Sequence, residues 1–173
     1  MVQFRDREMK GPKKLEMAIS LKDLTKDKAM FMVNGDVDLA KEVAADGIHF
    51  PEGQNSDANY QNLKKKFIIG RSVHSFESAV KAASEGMDYL TVGTIFPSNS
   101  HPNGETSGTE IIEEISNKLS IPLIGIGGIS EGNCLQVMEA GAAGVAVIGA
   151  ISEAASPKLA AHDIFKVLKS SKV

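Results

Sequence analysis

The sequence predicts an α/β fold of the (βα)₈ TIM-barrel type, and three observations favour this class. Short apolar segments recur along the 173 residues, and helical patterns separate most of them. Continuous apolar strands that alternate with helices are typical of a parallel sheet covered on both faces, because parallel strands need a crossover connection. Similar tripeptides connect a helix to the next apolar run: Ala45-Asp46-Gly47, Gly86-Met87-Asp88 and Gly141-Ala142-Ala143.

The pattern contains seven strands, whereas a closed barrel of this type has eight. A chain of 173 residues is also shorter than the roughly 200 to 250 residues typical of the fold. An open, doubly wound sheet of the flavodoxin type is the alternative architecture. The predicted strands cover residues 2–5, 30–33, 47–50, 67–70, 88–93, 122–127 and 144–149.

Three segments have clear helical patterns, at residues 75–86, 131–141 and 156–168. The first of them begins with Ser75, whose hydroxyl is suited to cap a helix N-terminus, and ends at Gly86, a residue type that favours the position after a helix. The single cysteine, Cys134, lies within the second pattern, so we expect a buried thiol with no catalytic role.

Length and composition predict a single domain over residues 1–173, since the chain is 42% hydrophobic and can form one core. The formal charge of −3, with scattered basic residues, offers no surface for nucleic acid. No apolar run is long enough to span a membrane, and the N-terminus lacks the apolar region of a secretory signal. We expect a cytoplasmic protein.

Polar residues follow the predicted strands, where the active site of a parallel barrel lies. Two of them, Ser72 and His74, are the catalytic candidates, although spacing alone assigns no acid to orient them. The other candidates are contacts for a substrate, namely Arg5, Arg7, Asn34, Ser98, Ser100 and His101.

Glycine-rich turns follow the last two strands and predict a phosphate site. Gly127 and Gly128 follow one strand, and Ile148 and Gly149 follow the other. Glycine lets backbone N–H groups approach an anion closely, and this end of the fold often holds a phosphate. We therefore expect the backbone of these four residues to bind a phosphate group.

The remaining histidines give no support for a metal site. His49 lies within a strand pattern and is interpreted as a core residue, and His162 falls in the last helix. The histidines lack the paired spacing of metal ligands, and carboxylates at the predicted strand ends are few. We expect no tightly bound metal.

The ordered strand-end motifs resemble those of the thiamine phosphate synthase/TenI family over nearly the whole chain. The phrase at 3–7 resembles the family's Q-L-R-E-K strand, and residues 33–40 resemble its I-N-D-R-V-D-L-A segment. The stretch at 69–74 matches G-x-S-x-H, that at 92–98 matches G-x-V-F-x-T, and 125–129 matches the phosphate-binding end. Family members begin with a further strand and helix, so the resemblance implies that the first βα unit is absent here.

The resemblance implies two different reactions, and the departures from the motifs bear on both. The synthase joins a hydroxymethylpyrimidine pyrophosphate to a thiazole phosphate with Mg²⁺ held by two aspartates. Gly35 and Gln54 stand at those two positions here, and His101 replaces a lysine. The TenI branch aromatises a thiazole phosphate by proton transfer, but Thr94 stands where that branch has a histidine.

The leading hypothesis from the sequence is a thiazole phosphate tautomerase of the TenI branch, with no tightly bound cofactor. The first alternative is a divergent thiamine phosphate synthase, which alone would require Mg²⁺. The second alternative is a non-catalytic protein that binds a phosphate ligand or has a regulatory role. The expected partner is a phosphorylated small molecule of the thiamine pathway. Open strand edges invite pairing with another chain, so we also expect a homo-oligomer.

Overall fold

The computed structural model describes residues 1–54, 60–98 and 105–170. They form two compact units. Unit 1 comprises Met1–Ser72 and Glu85–Asp88, and unit 2 comprises Val73–Ser84 and Tyr89–Val173. The single domain expected over residues 1–173 stays a prediction.

Unit 1 contains four parallel strands in chain order, each pairing with the next. The register aligns Phe4 with Val33, Val33 with Ile48 and Ile48 with Ile69. The strands are β1 (Val2–Phe4), β2 (Phe31–Asn34), β3 (Gly47–Phe50) and β4 (Ile68–Val73), and the helices are α1 (Gly11–Thr25), α2 (Val37–Glu42) and α3 (Tyr60–Leu63).

Unit 2 contains three further strands, which are also parallel and paired in chain order. The strands are β5 (Tyr89–Val92), β6 (Leu123–Ile126) and β7 (Gly144–Ala146). The helices are α4 (Phe76–Ser84), α5 (Glu110–Lys118), α6 (Cys134–Glu139), α7 (Gly149–Ser152) and α8 (Pro157–Ser170). Each of the seven strands found in the described residues overlaps its predicted segment.

The central strands are buried on both faces, which explains why they read as continuous apolar runs. In β2, Phe31, Met32 and Val33 are successive residues and all are buried. Successive side chains of a strand point to opposite faces, so both faces of β2 are covered. Tyr89–Val92 is likewise buried at every position of β5. This pattern is the one expected of a parallel sheet between layers of helices.

The predicted helix boundaries are also close to the observed ones. The Ser75 hydroxyl accepts a hydrogen bond from the Ser78 N–H at 3.1 Å, as an N-cap residue does. Gly86 has a φ of +85°, the left-handed conformation that favours glycine. Cys134 is fully buried in α6, and this burial is the main cause that raises the pKa of its thiol. Such a thiol is a poor nucleophile.

The repeated tripeptide before the strands has a structural cause, which Asp46 illustrates in unit 1. Its N–H donates to the Phe31 carbonyl at 2.9 Å, and its carboxylate accepts from the Phe31 N–H at 2.7 Å. Lys22 of α1 pairs with the same carboxylate at 2.8 Å. Burial alone would raise the pKa of Asp46, but these hydrogen bonds hold it below its usual value. One side chain thus joins α1, the start of β2 and the start of β3.

Asp88 repeats this arrangement one strand further along. Its N–H donates to the Ile69 carbonyl at 2.7 Å, its carboxylate accepts from the Ile69 N–H at 2.8 Å, and Lys64 pairs with it at 2.9 Å. In unit 2 the equivalent residue is Ala143, whose N–H donates to the Leu123 carbonyl at 2.8 Å. Ala143 keeps the backbone bond but offers no carboxylate.

Candidate active site

Polar side chains gather at the carboxyl ends of the strands in unit 1. Asn34 ends β2, and its amide donates a hydrogen bond to Gln3 of β1 at 3.3 Å. His49 is the strand partner of Asn34 and lies near the end of β3. Arg5 follows β1 directly and is exposed, as is Arg7. The candidate contacts Arg5 and Asn34 are thus in the part of unit 1 where the fold predicts a site.

Ser72, one of the two catalytic candidates, is paired with His49. The His49 Nε2 and the Ser72 Oγ are 2.8 Å apart, a hydrogen-bonding distance. His49 lies beside Gly70 in the register of β3 and β4. Since Gly70 has no side chain, the imidazole can extend past it to Ser72, two residues further along the same face of β4. Sequence reasoning placed His49 in the core and did not foresee this pair.

The environment of His49 keeps its imidazole neutral. Its side chain is almost entirely buried, with 2% of the residue exposed. Burial, together with the positive charges of Arg5 and Arg71, lowers the pKa of His49 to about 4. At neutral pH the ring therefore has one N–H donor and one acceptor nitrogen.

Arg71 is buried, and its guanidinium has partners from two directions. It donates to the Glu85 carboxylate and to the Tyr60 hydroxyl, and its guanidinium carbon is 5.1 Å from the centre of the Tyr60 ring. Tyr60 in turn packs edge-on against Phe50, with ring centres 5.3 Å apart. Among the described residues, the Nε of Arg71 is the buried side-chain nitrogen that lacks a partner. Arg71 therefore fixes α3 and the Glu85 segment onto β4.

A glycine-built turn follows β6 in unit 2. Gly127 and Gly128 have φ values of +103° and +60°. A Cβ at Gly128 would lie 2.3 Å from the Pro97 carbonyl oxygen, and one at Gly127 would lie 2.5 Å from the Thr94 methyl group. The chain can make this approach only with glycine at both positions.

The Gly128 turn is held by Asn133, a residue that the sequence analysis did not single out. Its side-chain oxygen accepts from the Ser130 N–H at 2.8 Å, and its amide donates to the Gly128 carbonyl at 3.0 Å. The Phe96 N–H also donates to the Gly127 carbonyl, at 3.0 Å. With both carbonyls occupied, the turn is fixed, and the Gly127 and Gly128 N–H groups have no acceptor among the described residues.

The second half of the predicted phosphate site follows β7. Ile148 precedes α7, and its carbonyl accepts from the N–H groups of Ile151 and Ser152 at 3.0 and 2.9 Å. Gly149 is the first residue of this helix. Ile148 as a whole residue is 60% exposed. Both glycine-rich turns belong to unit 2, at the carboxyl ends of neighbouring paired strands.

Three further residues singled out from the sequence follow β4 and β5 in unit 2. His74 lies just after β4 in unit 2, has an exposed side chain, and its N–H donates to the Ser78 hydroxyl at 3.2 Å. Thr94 is half-buried after β5, and Ser98 is half-buried further along the same connection. Ser100 and His101 lie outside the described residues.

The two positions that correspond to the magnesium ligands do come together, but their chemistry does not suit the metal. The Gln54 amide donates to the Gly35 carbonyl at 2.8 Å. A Cβ at Gly35 would lie 2.7 Å from the Gln54 Oε1. Mg²⁺ prefers carboxylate oxygens, and neither residue supplies one. Among the described residues, no group of three or more His, Cys, Asp or Glu side chains could hold a metal ion.

A solved structure from Pyrococcus furiosus, described as a thiamine phosphate pyrophosphorylase, superposes on this chain with a TM-score of 0.89 at 30% identity, covering 99% of this chain and 83% of that one. This match confirms the TIM-barrel-type α/β class, here with seven recognisable strands among the described residues. A 3-hexulose-6-phosphate synthase structure, with a TM-score of 0.70 at 19% identity over 89% of this chain and 80% of that one, has the same fold. The class is therefore an α/β protein of the TIM-barrel type.

The family model described as thiamine monophosphate synthase matches residues 1–151, and the chain belongs to this family. A thiamine-phosphate synthase of Listeria monocytogenes is 43% identical over 164 residues, 91% of this chain and 72% of that protein. One of Bacillus licheniformis is 38% identical over 144 residues, 82% of this chain. The matched region spans 64% of the length of the Bacillus protein. No helix among the described residues is long and apolar enough to cross a membrane.

Proposed function

We propose that this chain is a thiamine phosphate synthase, which joins a hydroxymethylpyrimidine pyrophosphate to a thiazole phosphate and releases pyrophosphate. The observation that carries the proposal is membership of the family, together with relatives that bear the synthase name. The sequence-based preference for the TenI tautomerase gains no such support. The synthase therefore takes first place, and the tautomerase becomes the second candidate.

In this proposal the thiazole phosphate binds in unit 2. Its phosphate is surrounded by the backbone N–H groups of Gly127, Gly128, Ile148 and Gly149. The N–H groups of Gly127 and Gly128 are available to an anion, because they have no acceptor among the described residues. Glycine allows the close approach that a doubly charged phosphate needs.

The pyrophosphate contacts come from side chains. Arg5 and Arg7 follow β1 and are exposed, and guanidinium groups form strong, charge-assisted hydrogen bonds with phosphate oxygens. Ser72 adds a neutral hydroxyl in unit 1. Ser98, Ser100 and His101 remain proposed contacts on the connection after β5.

Because Gly35 and Gln54 supply no carboxylate, the leaving pyrophosphate has to be stabilised mainly by these cations and hydrogen-bond donors. Preorganised donors of this kind often provide much of the electrostatic stabilisation in an active site. We expect a synthase rate of roughly a tenth, or less, of that of a synthase with the aspartate pair, because removing such stabilisation from a site typically lowers the rate by tenfold or more.

The second candidate is a thiazole phosphate tautomerase, and the Gly35–Gln54 contact favours it. A tautomerase moves protons and has no leaving pyrophosphate, so it loses nothing when the metal carboxylates are absent. Thr94 cannot act as a general base near neutral pH. The proton would have to move through Ser72 or His74 instead.

Two turnover assays distinguish these candidates. If the chain is a synthase, it releases pyrophosphate from a mixture of the hydroxymethylpyrimidine pyrophosphate and the thiazole phosphate. This release is measured with Mg²⁺ and with EDTA. The tautomerase predicts conversion of the carboxythiazole phosphate, and the His74→Ala variant tests the proton shuttle. The Gly132→Ala variant serves as a control, because a Cβ there would lie 4.0 Å from the Ser130 Oγ, an ordinary contact distance. Binding of the thiazole phosphate without either reaction would identify a non-catalytic binding protein.

A further inference from the structure

The hydrogen bond between His49 and Ser72 has a feature that core packing alone does not explain. A buried polar pair between two strands could be replaced by apolar side chains at little cost in stability. Here the histidine is fully enclosed, whereas Ser72, its partner at 2.8 Å, is only half-buried. The pair thus extends from the core towards the strand ends, where Ser72 is a proposed ligand contact.

The charges around the pair set the state of the imidazole. Arg5 follows β1 and Arg71 lies on β4, and both act electrostatically on His49. Burial and these two cations disfavour a second proton on the ring, so His49 stays neutral at pH values near 7. A neutral imidazole donates at one nitrogen and accepts at the other, so in either tautomer Nε2 can form one hydrogen bond with the Ser72 hydroxyl.

A serine hydroxyl rotates freely unless a partner fixes it. Once His49 occupies one side of the Ser72 oxygen, the remaining hydrogen-bonding direction of that hydroxyl is defined before a ligand arrives. Preorganisation of this kind strengthens binding, because the ordering cost is met during folding.

We infer that His49 is a positioning residue, which holds the Ser72 hydroxyl in the direction of the pyrophosphate group of the substrate. This role rests on the proposed function, since it places Ser72 against that group. His49 itself does not touch the substrate in this arrangement. It acts through Ser72, and its effect on function is expected in the affinity for pyrophosphate.

The test is a double-mutant cycle with inorganic pyrophosphate as the probe, measured by calorimetry at pH 7. We expect Ser72→Ala and His49→Leu each to weaken binding about tenfold, the loss typical of one hydrogen bond to a charged group. The double variant should be no weaker than either single variant, because both substitutions remove the same interaction. Two independent losses, which would multiply to about a hundredfold, would overturn the inference.

A second pair of variants guards against loss of folding. Glutamine places a polar atom near the position of the histidine Nε2, whereas asparagine is too short to reach Ser72. We expect His49→Gln to bind pyrophosphate within about threefold of the wild-type affinity and His49→Asn to bind it about tenfold more weakly. The reason is that only glutamine can replace the hydrogen bond to Ser72. Equal affinities for the two variants would show that His49 has only a structural role.

The same measurements separate this inference from the proposed function. Pyrophosphate binding that depends on His49 and Ser72, in a chain without synthase turnover, would remove the proposed reaction and leave the positioning role intact. A wild-type chain that does not bind pyrophosphate would overturn the positioning role as well.

Discussion

The two units build their strand ends from different chemical groups. In unit 1 the ends carry side chains, with Arg5, Asn34 and Ser72 as examples. In unit 2 the turns after β6 and β7 present backbone, and their key residues are glycines. A side-chain site can lose a function by substitution and still fold, whereas a backbone site couples its function to its conformation.

The same contrast holds where the strands begin. Asp46 and Asp88 in unit 1 each join a lysine and a strand N–H group through one carboxylate. Ala143 occupies the equivalent position in unit 2 with only the backbone bond. Unit 1 thus depends on charge at both ends of its strands. Substitutions at the strand ends of each unit test this difference.

The largest effect is expected at Gly128, where the comparison of the two units predicts that phosphate binding and stability are lost together. An alanine there combines a φ of +60° with a Cβ 2.3 Å from the Pro97 carbonyl oxygen. We expect Gly128→Ala to lower the free energy of unfolding by about 3 kcal/mol and to abolish phosphate binding. Denaturant unfolding and calorimetry with phosphate measure the two effects. Gly132→Ala is the matched control, and a stable Gly128→Ala variant that still binds phosphate would refute the backbone site.

The next effect is a pH dependence that arises in unit 1 from His49. Its pKa is about 4 in the folded chain, below the ordinary value of 6.5. The neutral form is therefore favoured by folding, so the stability it contributes is complete above pH 6.5 and is lost as the pH falls towards 4. The loss amounts to at most about 3 kcal/mol.

Unfolding curves between pH 7 and pH 4.5 measure this dependence. The difference between the wild type and His49→Gln isolates the histidine from the carboxylates, which titrate in both proteins. Parallel stability profiles for the two proteins would contradict a buried neutral imidazole.

A smaller effect is expected from the buried ion pair of unit 1. Glu85→Gln removes the carboxylate that faces Arg71, whose residue is only 8% exposed. We expect a loss of about 2 kcal/mol, less than for a fully buried pair because Glu85 is partly exposed. Urea unfolding provides the measurement. Glu114→Gln in unit 2 breaks an exposed pair with Lys118 and should cost less than about 0.5 kcal/mol. Similar losses of stability for Glu85→Gln and Glu114→Gln would contradict the distinction between the buried and the exposed ion pair.

The smallest effect is a gain in unit 2. Ala143 is exposed, and an aspartate there could accept a hydrogen bond from the Leu123 N–H as Asp46 does from Phe31. We expect Ala143→Asp to raise the free energy of unfolding by up to about 1 kcal/mol, and Ala143→Asn to raise it less. Thermal unfolding of the two variants compares them. A destabilised Ala143→Asp variant would indicate that the carboxylate motif requires the lysine that unit 1 supplies.

Much of the fold follows from local sequence patterns. The strands at 47–50 and 122–127 are apolar and short, and Ser75 and Gly86 mark a helix start and a turn. These features depend on residues that are neighbours along the chain. The glycine turn at Gly127 and Gly128 is predictable for the same reason, because its backbone conformation is a property of those two residues.

The site in unit 1 could be predicted only in part. Arg5, Asn34 and Ser72 follow from their position at strand ends, but the partner of Ser72 is 23 residues away along the chain. Asn133 was missed because its role is to hold carbonyl and N–H groups of a neighbouring turn, and no motif marks that role. The Gly35–Gln54 contact likewise depends on a loop that returns to the end of β2.

Periodicity and backbone preference are local properties of a chain, so the α/β class, the positions of the described strands and the glycine-rich turns follow from the sequence pattern. Which polar groups meet depends on how distant segments pack in the folded chain. The register of β3 beside β4 places His49 next to Gly70, and the His49 Nε2 lies 2.8 Å from the Oγ of Ser72, two residues further along β4. Register depends on how the apolar faces of neighbouring strands pack together, which is a property of the sheet and not of one strand.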